Sequence, residues 1–177
     1  MDSTDLFSCM KASATPLIIA EIGNNHEGDL ALAEKMIEAA HEAGAHAVKF
    51  QTFRTEEYIS NANPERFERM KSFELTFDEF RYLKSKAEAL KMIFLSTPFD
   101  LESAEFLCSL CNDIKISSGD NTFWPLLDKV SQYDVNLIIS CGLVTFDEID
   151  GIFRYVQDRK KVHQTTGNIA LFHCVAE

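Results

Sequence analysis

The chain has 177 residues, 46% hydrophobic and 25% charged, enough apolar material to fill one sizeable core. Its formal charge of -11 argues against nucleic acid and anionic membrane surfaces as partners, because both repel a chain of this sign. No apolar run reaches the roughly 20 residues of a membrane span, and MDSTDLFSCMKASATP lacks the basic start and apolar middle of a signal peptide, so a cytoplasmic location is expected.

Residues 1–16 are polar and without a repeating apolar pattern, and a loose lead-in or short edge element is predicted there. Residues 17–21 read as a strand. Leu30, Ala33, Met36, Ile37 and Ala40 then recur at helical spacing over 30–43, with Gly44 suited to the C-cap. A second strand follows at 46–50. Further strands are predicted near 92–96, 113–117, 136–140 and 169–174, separated by helices at about 76–90, 101–111, 123–132 and 146–158. Residues 52–75 break the short-loop pattern with interspersed arginines and glutamates. They read as a long loop with some helix at 64–70, serving as a lid or as a solvated insertion.

Repeated βαβ units call for an α/β fold with a parallel sheet and helices outside, either a (β/α) barrel of the TIM type or an open sheet. Six strands and five complete helices fill the chain, whereas a closed eight-stranded barrel takes about 250 residues. The reading is therefore a partial barrel over 17–177, truncated after about six strands, belonging to a longer polypeptide or completed by another chain.

In such barrels the strand bodies bury aliphatic residues and the carboxyl-terminal ends carry the chemistry. Those ends here offer Glu21, Lys49, Gln51, Thr97, Lys115, Ser118, Asp120 and Ser140. Alternation with period two puts Ala47, Lys49 and Gln51 on one face, with Val48 and Phe50 on the other. Ile19 pairs with Glu21 and Ile138 with Ser140 in the same way. A lysine inside an apolar strand is costly unless its charge is met, so Lys49 predicts either a buried salt bridge, for example with Glu21, or an anion site, or both. Lys115 repeats the situation ahead of Ser117, Ser118 and Gly119. Two ammonium groups with hydroxyls and a glycine turn suit a phosphate or carboxylate.

The five cysteines are an odd number and fit reduced thiols. Cys108 and Cys111 form a CxxC without a second pair, read as packing at the end of a helix, and His173 beside Cys174 in an apolar run is read as core. Neither GxGxxG nor GxxxxGK[ST] occurs.

In order, AEIGNNHEGD, VKFQTF, STPFD, KISSGD, ISCG and LFHC resemble the sialic acid synthase family, from about Leu17 to Glu177. The resemblance implies a (β/α) barrel that condenses phosphoenolpyruvate with an N-acyl mannosamine-type sugar. It also implies a divalent metal, manganese or magnesium, with ligands outside this chain, a homodimer, and a carboxy-terminal antifreeze-like domain beyond Glu177. Carried over by motif, Lys49, Gln51, Thr97, Lys115, Ser118 and Ser140 would bind phosphoenolpyruvate, while Glu21 and Asp120 would be catalytic and face the sugar. Asp120 stands where the family more often has Glu, and Cys141 where it often has Thr. His26, in NNHEG, is expected to hydrogen-bond rather than to ligate metal. Two rival readings stand beside this one: a barrel aldolase with a Schiff base on Lys49 or Lys115, and a non-catalytic barrel piece that associates with a partner.

Overall fold

The computed structural model describes residues 5–175. Six strands form one parallel sheet in sequential order: β1 (Ile19–Gly23), β2 (Ala47–Thr52), β3 (Ile93–Pro98), β4 (Asp113–Ile116), β5 (Asn136–Ser140) and β6 (Ile169–Phe172). Between β1 and β2 lies α2 (Leu30–Glu42). The β2–β3 connection holds α3 (Thr55–Tyr58), α4 (Pro64–Phe73) and α5 (Phe77–Ala89), and α6 (Leu101–Leu110), α7 (Trp124–Ser131) and α8 (Phe146–His163) complete the later units. Sequential parallel order with helices between successive strands is the arrangement of a (β/α) barrel. No helix among the described residues is long and apolar enough to cross a membrane.

Helix starts follow local chemistry. Asp29 accepts from the amides of Ala31 and Leu32 to open α2, Asp100 accepts from Ser103 to open α6, and Thr76/Glu79 and Thr145/Glu148 form capping boxes on α5 and α8. The predicted period-two alternation separates two cores. Val48, Phe50, Phe94, Ile114, Ile116, Leu137 and Ile139 pack outward with residues of the helices, among them Ile37, Leu83, Leu107, Leu126 and Ile152. Ala47, Ile93, Leu95 and Ile138 face inward and form a second, smaller cluster.

That inner cluster corrects the expectation of a loose lead-in. Residues 6–12 form α1 (Leu6–Ala12), capped by Asp5, and its Leu6 and Cys9 are buried against the inward residues of the strands. The Leu6 amide donates to the Asp113 carboxylate at 2.7 Å, and Asn136 donates to the same carboxylate at 2.9 Å. The helix thus stops one end of the inner face, at the amino-terminal ends of the strands. Only two buried side chains at i and i+3 anchor it, a pattern too short to stand out in the sequence. Residues 1–4 lie outside the described part. Cys108 and Cys111 are buried at the end of α6, where burial pushes both thiols up to about 12.

Candidate active site

The inward parity that buries Ala47, Leu95 and Ile138 carries on toward the carboxyl-terminal ends as Lys49, Thr97 and Ser140, with Glu21 and Lys115 on the neighbouring strands in step. Glu21 and Lys49 are register partners and form an ion pair at 2.6 Å, with the lysine side chain 12% exposed and the glutamate 57% exposed. Lys49 also donates to the Thr97 hydroxyl at 3.3 Å. Gln51 joins them across a bulge in the β1–β2 pairing. Gly23 sits there at φ +61°, and a methyl on it would lie 3.5 Å from Glu21 Oε1 and 3.6 Å from Gln51 Nε2.

Lys115 is buried, 9% exposed. It donates to the Ser140 hydroxyl and, at 2.7 Å, to its neighbour's carbonyl at Ile116, and lies 5.8 Å from the centre of the Phe172 ring. Burial, followed by the nearby charge of Lys49, lowers its ammonium from the ordinary 10.5 to about 8. Two cations on one inner face feel each other; Glu21 forms an ion pair with Lys49 and reaches Lys115 through its charge alone.

The loops after β4 and β5 close the group. The Ser118 hydroxyl lies 2.9 Å from Cys174 Sγ. Ser117 donates to Asp120, which draws that carboxylate back toward its own turn. The Asp120 charge reaches Tyr58 of α3: burial and then Asp120 raise the phenol above its ordinary value. Tyr58 stacks on Phe99 at 4.7 Å. The structure therefore brings Glu21, Lys49, Gln51 and Thr97 together on one side and Lys115, Ser118 and Ser140 on the other, with Asp120 at the rim beside α3.

Three contributors escaped the sequence reading. Asn121, 1% exposed, donates to the carbonyls of Ser140 at 3.0 Å and Gly142 at 3.1 Å and so fixes the β5 loop against the β4 loop. Gly142 leaves no room for a side chain, since a methyl would fall 2.8 Å from Cys174 Sγ and 2.9 Å from Ser118 Oγ. Cys174 itself, expected in the core beside His173, stands half-buried at the end of the inner face, and His173 is exposed. The signal was available in the alternation from Phe172 to Cys174. His26 fits its expectation in part: its Nδ1 accepts from the Gly28 amide at 3.1 Å, while Nε2 is buried without a partner.

This placement can be set beside known proteins. Residues 36–177 match the NeuB family. The chain belongs to that family. It is 38% identical over 175 residues to an N,N'-diacetyllegionaminic acid synthase of Campylobacter jejuni, covering 91% of this chain and 52% of that protein. It is 35% identical over 172 residues to an N-acetylneuraminate-9-phosphate synthase of Drosophila melanogaster, covering 90% and 45%. Among solved structures it is similar to an N-acetylneuraminic acid (sialic acid) synthetase from Leptospira borgpetersenii in complex with citrate, with a TM-score of 0.83 and 33% identity over 92% of this chain and 55% of that one. The NeuB-family chain described here thus spans about half the length of the relatives it matches, and its motifs and (β/α) barrel strands are those of the family they resemble.

Proposed function

We propose that this chain carries the phosphoenolpyruvate-binding part of a synthase that condenses phosphoenolpyruvate with an N-acyl mannosamine-type sugar, releasing phosphate and a sialic acid-like nonulosonate. The observation that carries the reading is the cation pair. Lys115 is held in a buried position where its own charge is disfavoured, next to Lys49 and among the hydroxyls of Thr97, Ser118 and Ser140. Such an arrangement is unfavourable in the empty chain and favourable around an anion, so it preorganises a site for the carboxylate and phosphate of phosphoenolpyruvate.

In the condensation, C3 of phosphoenolpyruvate attacks the aldehyde carbon of the open-chain sugar, water adds at C2, and the bond from C2 to the bridging oxygen breaks so that phosphate leaves with that oxygen and the added hydroxyl becomes the C2 ketone. The roles assigned to this chain are to hold and to orient. Lys49 and Lys115 neutralise the enolpyruvate's charges, with Gln51 beside them, and Ser118 and Ser140 donate to its oxygens. Glu21 and Asp120 lie on the sugar's side, where a carboxylate can hold hydroxyls or move a proton. The family resemblance also implies a divalent metal. Among the described residues no three His, Cys, Asp or Glu side chains converge to hold one, and the chemistry assigned to this chain is that of its own residues. Assembly as a homodimer and a cytoplasmic location belong to the same proposal.

A melt of this chain with millimolar phosphoenolpyruvate tests the reading, because a ligand that binds only the folded state raises the melting temperature. An upward shift that a sugar alone does not produce supports it; an unmoved cooperative melt refutes it. One observation favours a second reading: an amine near 8 is more readily neutral and nucleophilic than an ordinary lysine. Borohydride in the presence of pyruvate decides. A covalent adduct on Lys115 would establish the aldolase and remove the synthase, and phosphate release without trapping would do the opposite.

A further inference from the structure

Tyr58 stands on a short helix that its surroundings hold in place. The amide and hydroxyl of Thr55, at the start of α3, donate to the Glu74 carboxylate at 2.8 and 2.7 Å. The Glu74 side chain, 6% exposed, also pairs with Arg54 at 2.7 Å and with Lys71 at 3.1 Å, and the Arg54 amide donates to Asp100, the cap of α6, at 2.7 Å. With α3 fixed from behind, the Tyr58 ring stacks on Phe99, directly after β3, and lies 5.6 Å from the ring of Phe53, directly after β2. A half-buried phenol is thereby held over the carboxyl-terminal ends of β2 and β3, where Lys49, Gln51 and Thr97 stand. Asp120, from the loop after β4, reaches the phenol by charge, its carboxylate being taken by Ser117, and the charge of Arg66 acts on it from α4. The phenol keeps its proton at neutral pH and is a donor to an acceptor brought from outside.

The position decides which part of a substrate this donor meets. With phosphoenolpyruvate on the two lysines, the aldehyde carbon of the sugar must lie against its C3, so the open sugar chain runs away from the lysines, past Asp120, to the rim where Tyr58 stands. We propose that Tyr58 is a sugar-binding and specificity residue: its hydroxyl donates to the oxygen at the end of the sugar remote from the aldehyde, so that an N-acyl mannosamine that keeps its 6-hydroxyl is preferred to the 6-deoxy sugar. The inference rests on the function proposed above and adds a residue and a preference to it. A site built to bond a hydroxyl rejects the analogue lacking it, because its own donor is left unpaired. Here the phenol is only half-buried and can turn to water, so the discrimination is that of one neutral hydrogen bond, about three- to tenfold, well short of that of an enclosed site.

The test is titration calorimetry of the full chain saturated with phosphoenolpyruvate, using N-acetylmannosamine and its 6-deoxy analogue. The parent chain should bind the first about three- to tenfold more tightly. Tyr58→Phe keeps the ring, and with it the stack on Phe99 and the contact with Phe53, so its melting temperature and its affinity for phosphoenolpyruvate should match the parent's while it binds the two sugars alike. A parent that binds neither sugar, or binds both equally, overturns the assignment, and so does a variant that retains the parent's preference. A variant that loses phosphoenolpyruvate affinity as well overturns it too, since Tyr58 would then be supporting the mouth as a whole. Failure of the proposed function is read separately: a parent chain whose melt phosphoenolpyruvate never moves refutes that function, and the two sugars titrated without phosphoenolpyruvate then decide Tyr58 by the same criteria.

Discussion

Replacing Lys115 with methionine should make the empty chain more stable and the loaded chain weaker. The side chain is 9% exposed, and burial together with Lys49 takes its ammonium from 10.5 to about 8. The folded chain therefore binds this proton less tightly than the unfolded chain does. Below about 8 the buried charge costs stability, the cost fades as pH climbs toward 10.5, and above that it is gone. At about 1.4 kcal/mol per pH unit the cost is on the order of 3 kcal/mol. That is an upper bound, since methionine gives up the bonds to the Ile116 carbonyl and the Ser140 hydroxyl. Lys115→Met keeps the aliphatic stem, so a gain of about 1–3 kcal/mol at neutral pH is expected by urea titration, shrinking toward zero near pH 10. An anion that meets the buried ammonium recovers the same energy on binding, so calorimetry should show affinity for phosphoenolpyruvate falling by up to roughly 100-fold in the variant. Lys91→Ala, on the exposed turn after α5, is the control and should change neither quantity. A Lys115→Met chain that is less stable than the parent, or one that binds phosphoenolpyruvate as the parent does, refutes the reasoning.

Gly142→Ala should place a methyl 2.8 Å from Cys174 Sγ and 2.9 Å from Ser118 Oγ; displacement of Ser118 should abolish the phosphoenolpyruvate-induced melting shift while a cooperative melt persists. Leu6→Ala removes the 2%-exposed anchor of α1, and a loss of about 2–4 kcal/mol is expected in urea titration, whereas a loss near zero would mean that α1 does not close the inner face.

The strands were legible because each reads as a short aliphatic run between turn residues, β2 to β5 being buried on both faces, and because alternation separates Val48 and Phe50 from Lys49 without knowledge of the partner strand. The inward lysines were legible for the same reason: a charge in such a run needs an explanation. The plug was not. Its contribution depends on Leu6 and Cys9 meeting Ala47, Ile93 and Ile138, and nothing near residue 6 announces partners that lie 38 or more positions away. Asn121, Gly142 and Cys174 were hidden in the same way, since their worth lies in contacts between loops of successive strands rather than in any local pattern. Helix α8 runs five residues past its predicted end at 158, because Lys160, although charged, is buried and donates to the carbonyls of Tyr133, Val135 and Thr166, a tie that period alone reads as solvated.

The ion pair between Glu21 and Lys49 bears on the order of events. Glu21 is the anion that meets Lys49 in this structure, so on the proposed function an incoming carboxylate or phosphate would compete with it and would free the glutamate as Lys49 turned to the ligand. Because Glu21 is more exposed than buried while Lys49 is 12% exposed, the pair is solvated on the carboxylate side, and the competition is set near the upper end of a surface pair, about 1 kcal/mol or roughly fivefold in affinity. Glu21→Gln should therefore bind phosphoenolpyruvate slightly more tightly than the parent chain, while a full-length synthase carrying the same change should condense it more slowly. The two effects have opposite signs, which separates this role from that of a residue that merely supports the fold. If the variant bound phosphoenolpyruvate less tightly, Glu21 would be supporting the position of Lys49 and not competing for it.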